Sequence, residues 1–317
     1  MSSALYQVSK IASILNAKIL SLAADSEIKY LLLDSRKITS LDNSLFFAIK
    51  GARNDGHKFI ADLYHKGIRN FVISDVPDIL ASLKDCTILK VDNTLQALQL
   101  LAEYHRKQFT IPVLGITGSN GKTIVKEWLF QLLREDKNIV RSPKSYNSQV
   151  GVPLSVWEMQ DSHELAIFEA GISLPGEMEL LQKIIQPSVG IFTNIGQAHS
   201  ENFISEVQKV QEKIKLFIGC DAVIYCKDYP VLHDEISKST ALEGVKKISW
   251  SRKSKADLQI GRVEKLVNET KIQGIYNNDF LSISIPFVDD AYIENAIHCW
   301  AYLLLIGFDY KKIETRM

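Results

Sequence analysis

From Val113 onward, short apolar runs alternate with stretches whose apolar residues recur every three or four positions. "VLGIT" (113–117), "ELAIFEAG" (164–171), "SVGIFTNIG" (188–196) and "DAVIYC" (221–226) have strand length and few polar interruptions. That is how strands buried on both faces read. After the first run, Val125, Trp128, Leu129, Leu132 and Leu133 fall at helical spacing. The alternation predicts a mostly parallel sheet flanked by helices. Over 256–287 the period changes to two: "LQIGRV", "TKIQGIY" and "LSISIPF" alternate apolar with polar, and "NND" is turn chemistry. These segments are expected to add an antiparallel ribbon.

Before Val113 the pattern is more mixed. A helix is expected at Val8–Leu15, strands around "KYLLLDSR" and "NSLFFAI", a helix at "HKFIADLYHKG", a strand at "NFVISD" and a helix at "LQALQLLAEYHRKQF". Thr110-Ile111-Pro112 then interrupts the helical pattern, because the residue before a proline avoids helical backbone. The fold class expected is therefore α/β: a small mixed α/β domain over 1–107 and a central α/β domain over 108–317. Residues 290–306, "DAYIENAIHCWAYLLLI", read as a helix apolar on most of its surface, which something must cover. The chain then stops where another helix begins, as expected of a piece of a longer protein.

Composition narrows the classes. Lys+Arg and Asp+Glu balance at 37 each, so no global field points to nucleic acid or an anionic membrane surface. No apolar run approaches the length of a membrane span, and "MSSALYQVSK" lacks a signal-peptide core. Cys86, Cys220, Cys226 and Cys299 form no C-x-x-C pair, which suggests buried free thiols in a reducing cytoplasm.

The chemistry concentrates in "GITGSNGKT" (115–123). A P-loop of the G-x-x-x-x-G-K-[ST] form wants glycine where Ile116 stands; Gly118 lies three before Gly121 instead. The context is strand, glycine loop, helix start, where N–H groups and the helix dipole receive anions. Lys122 would pair with the outer phosphates of a nucleotide and the Thr123 hydroxyl would ligate Mg²⁺. A tight turn with a surface lysine is the plain alternative. Glu169 ends a strand at the edge where open α/β sheets bind ligands, so it is a candidate Mg²⁺ ligand or merely a loop carboxylate. His199 follows the next strand, and a structural role competes there with a functional one. Lys213 lies roughly 80° from the centre of the stripe Phe203, Val207, Val210, Ile214 and Phe217, at its margin; Lys215 points away. A lysine so placed can reach a site or simply snorkel to solvent.

Together these pieces resemble the Mur ligase family, ATP-dependent amide-bond synthetases of peptidoglycan precursor synthesis. "GITGSNGKT" is similar to the family's loop, in which the shorter glycine spacing is normal. "SYNSQVGVPLSV" resembles its asparagine-rich segment, "FEAG" its magnesium-binding glutamate, "TNIGQAH" its T-N-x-x-x-x-H segment, "EKIKLF" its K-x-x-[IL]-F helix, and "IENAI" its adenine segment. The resemblance implies an ATP site of Gly118, Ser119, Asn120, Gly121, Lys122, Thr123 and Asn295. It implies catalytic roles for Lys122, Glu169, His199 and Lys213. It further implies two Mg²⁺ ions held by Thr123, Glu169, His199 and a carbamylated Lys213.

"DSRKITSLDNSLFFAIKGARNDGHKFI" is similar to the family's UDP-binding domain and places Ser35, Arg36, Gly51, Asp55 and His57, with Asn147 of the asparagine-rich segment, near a UDP-sugar. The wording is that of the branch joining D-alanyl-D-alanine to UDP-N-acetylmuramoyl-tripeptide, sometimes fused to an alanine racemase. A cytoplasmic monomer is expected, with no nucleic-acid or membrane partner. The alternatives are a member adding a single amino acid, or a nucleotide- and UDP-sugar-binding piece without turnover; folate-polyglutamylating relatives lack the UDP-binding domain. Two departures stand out: Ile124 follows G-K-T in place of Thr or Ser, and Ala291-Tyr292 stands where His-Asn opens the adenine segment. The family's third, Rossmann-like domain is not found in this sequence.

Overall fold

A computed structural model describes residues 5–36, 38, 40–51, 54–196 and 202–317. The chain divides into two compact units, Met1–Phe109 with Val156–Ser162, and Thr110–Ser155 with His163–Met317.

The first unit runs β1 (Tyr6–Gln7), α1 (Val8–Ile14), β2 (Lys18–Ser21), β3 (Glu27–Ile28), β4 (Tyr30–Leu32), β5 (Ser44–Phe47), α2 (Ile60–His65), β6 (Asn70–Ile73), β7 (Thr87–Lys90) and α3 (Thr94–Arg106). Its main sheet has the order β2-β7-β6-β5-β4. Strands β4 to β7 are parallel, and β2 pairs antiparallel at the edge. Strands β5 and β6 are buried throughout, and Phe46 and Phe71 meet edge to face beneath α2. Helix α3 starts cleanly because Asn93 accepts the N–H groups of Leu95 and Gln96. Residues 156–162 join this unit: the Trp157 indole donates to Lys29 O at 2.8 Å and packs on His105 and Tyr6.

The second unit holds β8 (Val113–Thr117), α4 (Lys122–Leu133), β9 (Ile139–Arg141), α5 (Gly151–Trp157, whose end belongs to the first unit), β10 (Leu165–Glu169), α6 (Glu177–Ile185), β11 (Val189–Phe192), α7 (Glu206–Ile214), β12 (Ala222–Cys226) and α8 (Pro230–Lys238). β13 (Lys246–Ser251), β14 (Leu258–Lys265), β15 (Thr270–Tyr276), β16 (Asp279–Ile285), α9 (Asp290–Leu305) and α10 (Tyr310–Arg316) follow. Nine strands form one sheet, β16-β15-β14-β13-β12-β11-β8-β10-β9, parallel from β9 to β14. The antiparallel ribbon is therefore a continuation of the sheet, joined through β13. Its β15–β16 turn puts Asn277 and Asn278 both at positive φ, the twist a two-residue hairpin requires.

Side chains at alternate positions point to opposite faces. On one face Leu114, Ile116, Ile191, Ile224, Ile248 and Trp250 pack with Val125, Leu129 and Leu133 of α4 and with α9. On the other, Gly190 leaves room for the Phe217 ring. The apolar α9 finds its cover here: Ile293 and every residue from Asn295 to Leu303 are buried, among the sheet, α4 and α10. The cover that the apolar helix needs is supplied by this unit, because the sheet extends under it. Among the described residues no helix is long and apolar enough to cross a membrane. All four cysteines are free and buried.

Candidate active site

Strand β8 lies centrally, with β10 on one side and β11 on the other, so the chain reverses direction across the sheet at its carboxyl edge. Ligands of open α/β sheets bind at that switch point. The loop from Gly118 to Gly121 leaves β8 there. Gly118 has φ +141° and Gly121 φ +83°, backbone that favours glycine. A Cβ on Gly118 would strike Thr193 Oγ1, and one on Gly121 would strike Asn295 Oδ1.

The segment after β11 clamps the loop. Ser119 N donates to Asn194 O at 2.9 Å, Asn120 N to Asn194 Oδ1 at 3.0 Å, and Thr193 Oγ1 to Asn120 O at 2.5 Å. Gly121 brings no side-chain cap to α4, which leaves first-turn N–H groups for an anion. The Lys122 ammonium folds back onto Gly118 O at 2.8 Å and Ser119 O at 3.3 Å. Burial holds its pKa below the ordinary lysine value. A phosphate would offer that ammonium a far better acceptor than two carbonyls.

Beside the loop, Thr123 Oγ1 donates to Glu169 Oε2 at 3.0 Å and lies 3.2 Å from Ser145 Oγ. Asn147 Nδ2 reaches the same Glu169 oxygen at 3.5 Å. Glu169 is fully buried. Its Oε1 forms an ion pair with Lys126 Nζ at 2.9 Å, yet no donor among the described residues is aligned on it. Oε1 thus lies on the Lys126 side, while Oε2 and the Thr123 hydroxyl face the loop as an all-oxygen donor set of the kind that fits Mg²⁺.

Lys213 Nζ donates to Gly118 O at 3.1 Å, and Lys209 Nζ to Gly196 O at 2.5 Å. Lys213 is pushed down to about 7 by burial, with the Lys122 and Lys209 charges adding to the effect. The amine is thus substantially neutral near neutral pH and nucleophilic. The sequence pattern placed Lys213 at the margin of α7's apolar stripe; the helix buries Val210 and Ile214 of that stripe together with Lys209 and Lys213, while Val207 is exposed. That face meets loop carbonyls, which hydrogen-bond ammonium groups and permit their burial. Lys215 pairs with Glu179 and Glu212, away from the loop. Asn295 sits against Gly121. His199 lies outside the described residues.

In the first unit, Ser35 and Arg36 follow β4, Gly51–His57 follow β5, and Ser74–Asp75 follow β6, at the carboxyl ends of adjacent parallel strands. Arg36 is exposed and paired with Asp34; Ser35 is buried, and its carbonyl accepts Lys66 Nζ at 3.4 Å. Gly51 N donates to Asn54 O at 2.8 Å, which closes the turn after β5. His57 Nδ1 lies 2.6 Å from Asp55 Oδ1, and His57 Nε2 accepts Ser74 N at 3.0 Å and Asp75 N at 3.2 Å. Two N–H groups aimed at Nε2 require a neutral ring protonated at Nδ1. Asp55, His57 and Asp75 therefore cluster closely enough for a metal but offer it no histidine lone pair. Asn147 belongs to the second unit, beside Glu169.

Sequence reasoning missed Lys126 and Lys209, and it quoted Thr193, Asn194 and Ser145 within motifs without giving them a role. Lys126 lies three residues before Leu129 and seven before Leu133, on the buried stripe itself, and that spacing was a readable signal.

The profile described as the Mur ligase middle domain matches residues 116–303, more than half the chain. The chain belongs to the Mur ligase family. A second profile, "Mur ligase family, catalytic domain", matches residues 27–106. The UDP-N-acetylmuramoyl-tripeptide–D-alanyl-D-alanine ligase of Bacillus subtilis is 30% identical over 256 residues, 79% of this chain and 53% of that protein. The chain thus spans about half the length of that Mur ligase. Among solved Mur ligase structures, MurF from Acinetobacter baumannii superposes with TM-score 0.88 at 24% identity, over 100% of this chain and 68% of that one. MurF from Thermotoga maritima in complex with ADP superposes with TM-score 0.78 at 22% identity, over 90% and 66%. At these identities the structures establish a shared fold.

Proposed function

We propose that this chain provides the UDP-sugar-binding and nucleotide-binding parts of an ATP-dependent ligase joining D-alanyl-D-alanine to UDP-N-acetylmuramoyl-tripeptide. The observation that carries the reading is the convergence of Lys122, Thr123, Glu169 and Lys213 on one glycine loop at the sheet's carboxyl edge. The Bacillus subtilis relative's name supplies the substrates. In this reading the γ-phosphoryl group of ATP passes to the tripeptide's terminal carboxylate, leaving ADP. The dipeptide amine then attacks the acyl phosphate, forms the amide, expels phosphate and loses a proton.

Lys122 turns from Gly118 O and Ser119 O to the phosphoryl oxygens, where charge builds during transfer. Loop and α4 N–H groups cradle the remaining phosphates, and Asn295 faces the adenine. Thr123 and Glu169 would hold one Mg²⁺, and His199 with a carbamate of Lys213 would hold the other. Mg²⁺ supplies charge neutralisation at the phosphates when bound. A neutral Lys213 amine is the form that adds CO₂, and its burial among cations favours the anionic product. Ser35, Arg36, Gly51, Asp55, His57 and Asn147 position the UDP-sugar substrate. The reading includes a cytoplasmic monomer that binds neither nucleic acid nor membrane.

The test is ADP release by a protein carrying this chain joined to the remaining length of its relatives. Release should require UDP-N-acetylmuramoyl-tripeptide and D-alanyl-D-alanine together, and fall at least a hundredfold in Lys122→Ala, about the loss seen when one transition-state donor is removed. Release supported by a single amino acid in place of the dipeptide would instead assign the chain to another branch.

A further inference from the structure

Lys126 is fully buried one turn beyond Lys122, and its ammonium meets three separate pieces of the second unit. It donates to Ser142 O at 2.7 Å and to Lys144 O, and it pairs with Glu169 Oε1 at 2.9 Å and Glu127 Oε1 at 3.1 Å. An ammonium has three N–H donors. Two are committed to the Ser142 and Lys144 carbonyls and the third is not aligned on Glu169 Oε1, which receives the charge without a hydrogen bond. Lys144 has φ +50°, a strained left-handed conformation for a lysine, so its carbonyl needs an anchor. Ser142 Oγ in turn accepts Glu169 N at 3.2 Å. The turn held in this way carries Ser145 to Thr123 and Asn147 to Glu169.

We propose that Lys126 is the positioning residue of the cation site: one buried ammonium fixes the Glu169 carboxylate and the Ser142–Asn147 turn together. It turns Oε2, which now accepts the Thr123 hydroxyl and the Asn147 amide, toward the loop where Mg²⁺ would bind, and does not itself touch the nucleotide. The inference rests on the ligase reading only for the identity of the bound nucleotide.

Two measurements on the whole chain test it. The first is calorimetric binding of ADP with Mg²⁺ and with EDTA. In Lys126→Met, ADP affinity in EDTA should stay within about threefold of wild type, while the gain produced by Mg²⁺ should shrink by on the order of tenfold or more, since small misplacements of such groups are costly. An equal loss in both conditions means a merely structural role and overturns the proposal.

The second is a urea-unfolding cycle of Lys126→Met, Glu169→Gln and the double variant. Removing one member of a buried pair strands the other, so Lys126→Met should lower the folding constant about a hundredfold beside Glu169 and far less beside Gln. Additive effects overturn it. If wild type binds no Mg²⁺·ADP, the nucleotide reading fails, and the urea cycle still decides the coupling.

Discussion

His298 illustrates how one residue serves both fold and site. Its Nε2–H donates to Thr193 O at 2.7 Å and its Nδ1 accepts the Trp250 indole N–H at 3.1 Å. Thr193 N also donates to Thr117 O, and its hydroxyl clamps Asn120 O, so the ring buttresses the glycine loop. Complete burial pushes His298 down to about 4, with the Thr193 bond acting weakly the other way. Between about 4 and the ordinary 6.5 the unfolded chain binds the extra proton and the folded chain does not, so stability falls as pH falls through that window. From pH 7 to 4 the loss is on the order of 3 kcal/mol, since one pKa unit is about 1.4 kcal/mol. Urea midpoints of wild type and His298→Gln across this range should differ by that pH-dependent amount; parallel profiles would refute the assignment.

At the scale of elements, the loop is held between the β11 segment and α9. Gly121 caps α4 at φ +83° with the Asn295 amide pressed against it, so the start of one helix and the flank of another are packed through a missing side chain. Gly121→Ala must either distort the loop or displace α9 at Asn295. It is expected to weaken ADP binding by on the order of a hundredfold, as a displacement of about 1 Å does elsewhere. The unfolding midpoint should move much less, because α9's apolar residues stay buried. Unaltered ADP affinity by calorimetry would contradict this account. The α7 helix teaches a related lesson: Lys209 and Lys213 are buried alongside its apolar stripe, since they find carbonyls at Gly196 and Gly118.

For the whole molecule, the chain carries the glycine loop with Thr123 and Glu169 beside it but spans about half the length of the Bacillus subtilis ligase. It should therefore bind ADP by itself, with turnover appearing only with the remaining length present; failure of the chain to bind ADP in calorimetry would count against a preformed site. The strand–helix alternation, the glycine loop, Glu169 at a strand end and the Asn-rich hairpin turn were all legible in the sequence, because each is a local pattern of period, turn chemistry or motif spacing. Strands β9 and β13 were not singled out, because a short strand is defined by its partners. Nor did periodicity reveal that the ribbon continues the parallel sheet, that Lys213 is buried, or that Lys126 and Glu169 pair. Those facts depend on which carbonyls and charges distant segments bring within about 3 Å, the range at which a buried ammonium becomes tolerable. The sequence by itself determined the strand–helix alternation and the family; only the tertiary structure decided which charged groups face one another, because compensation of a buried charge is a property of the assembled neighbourhood.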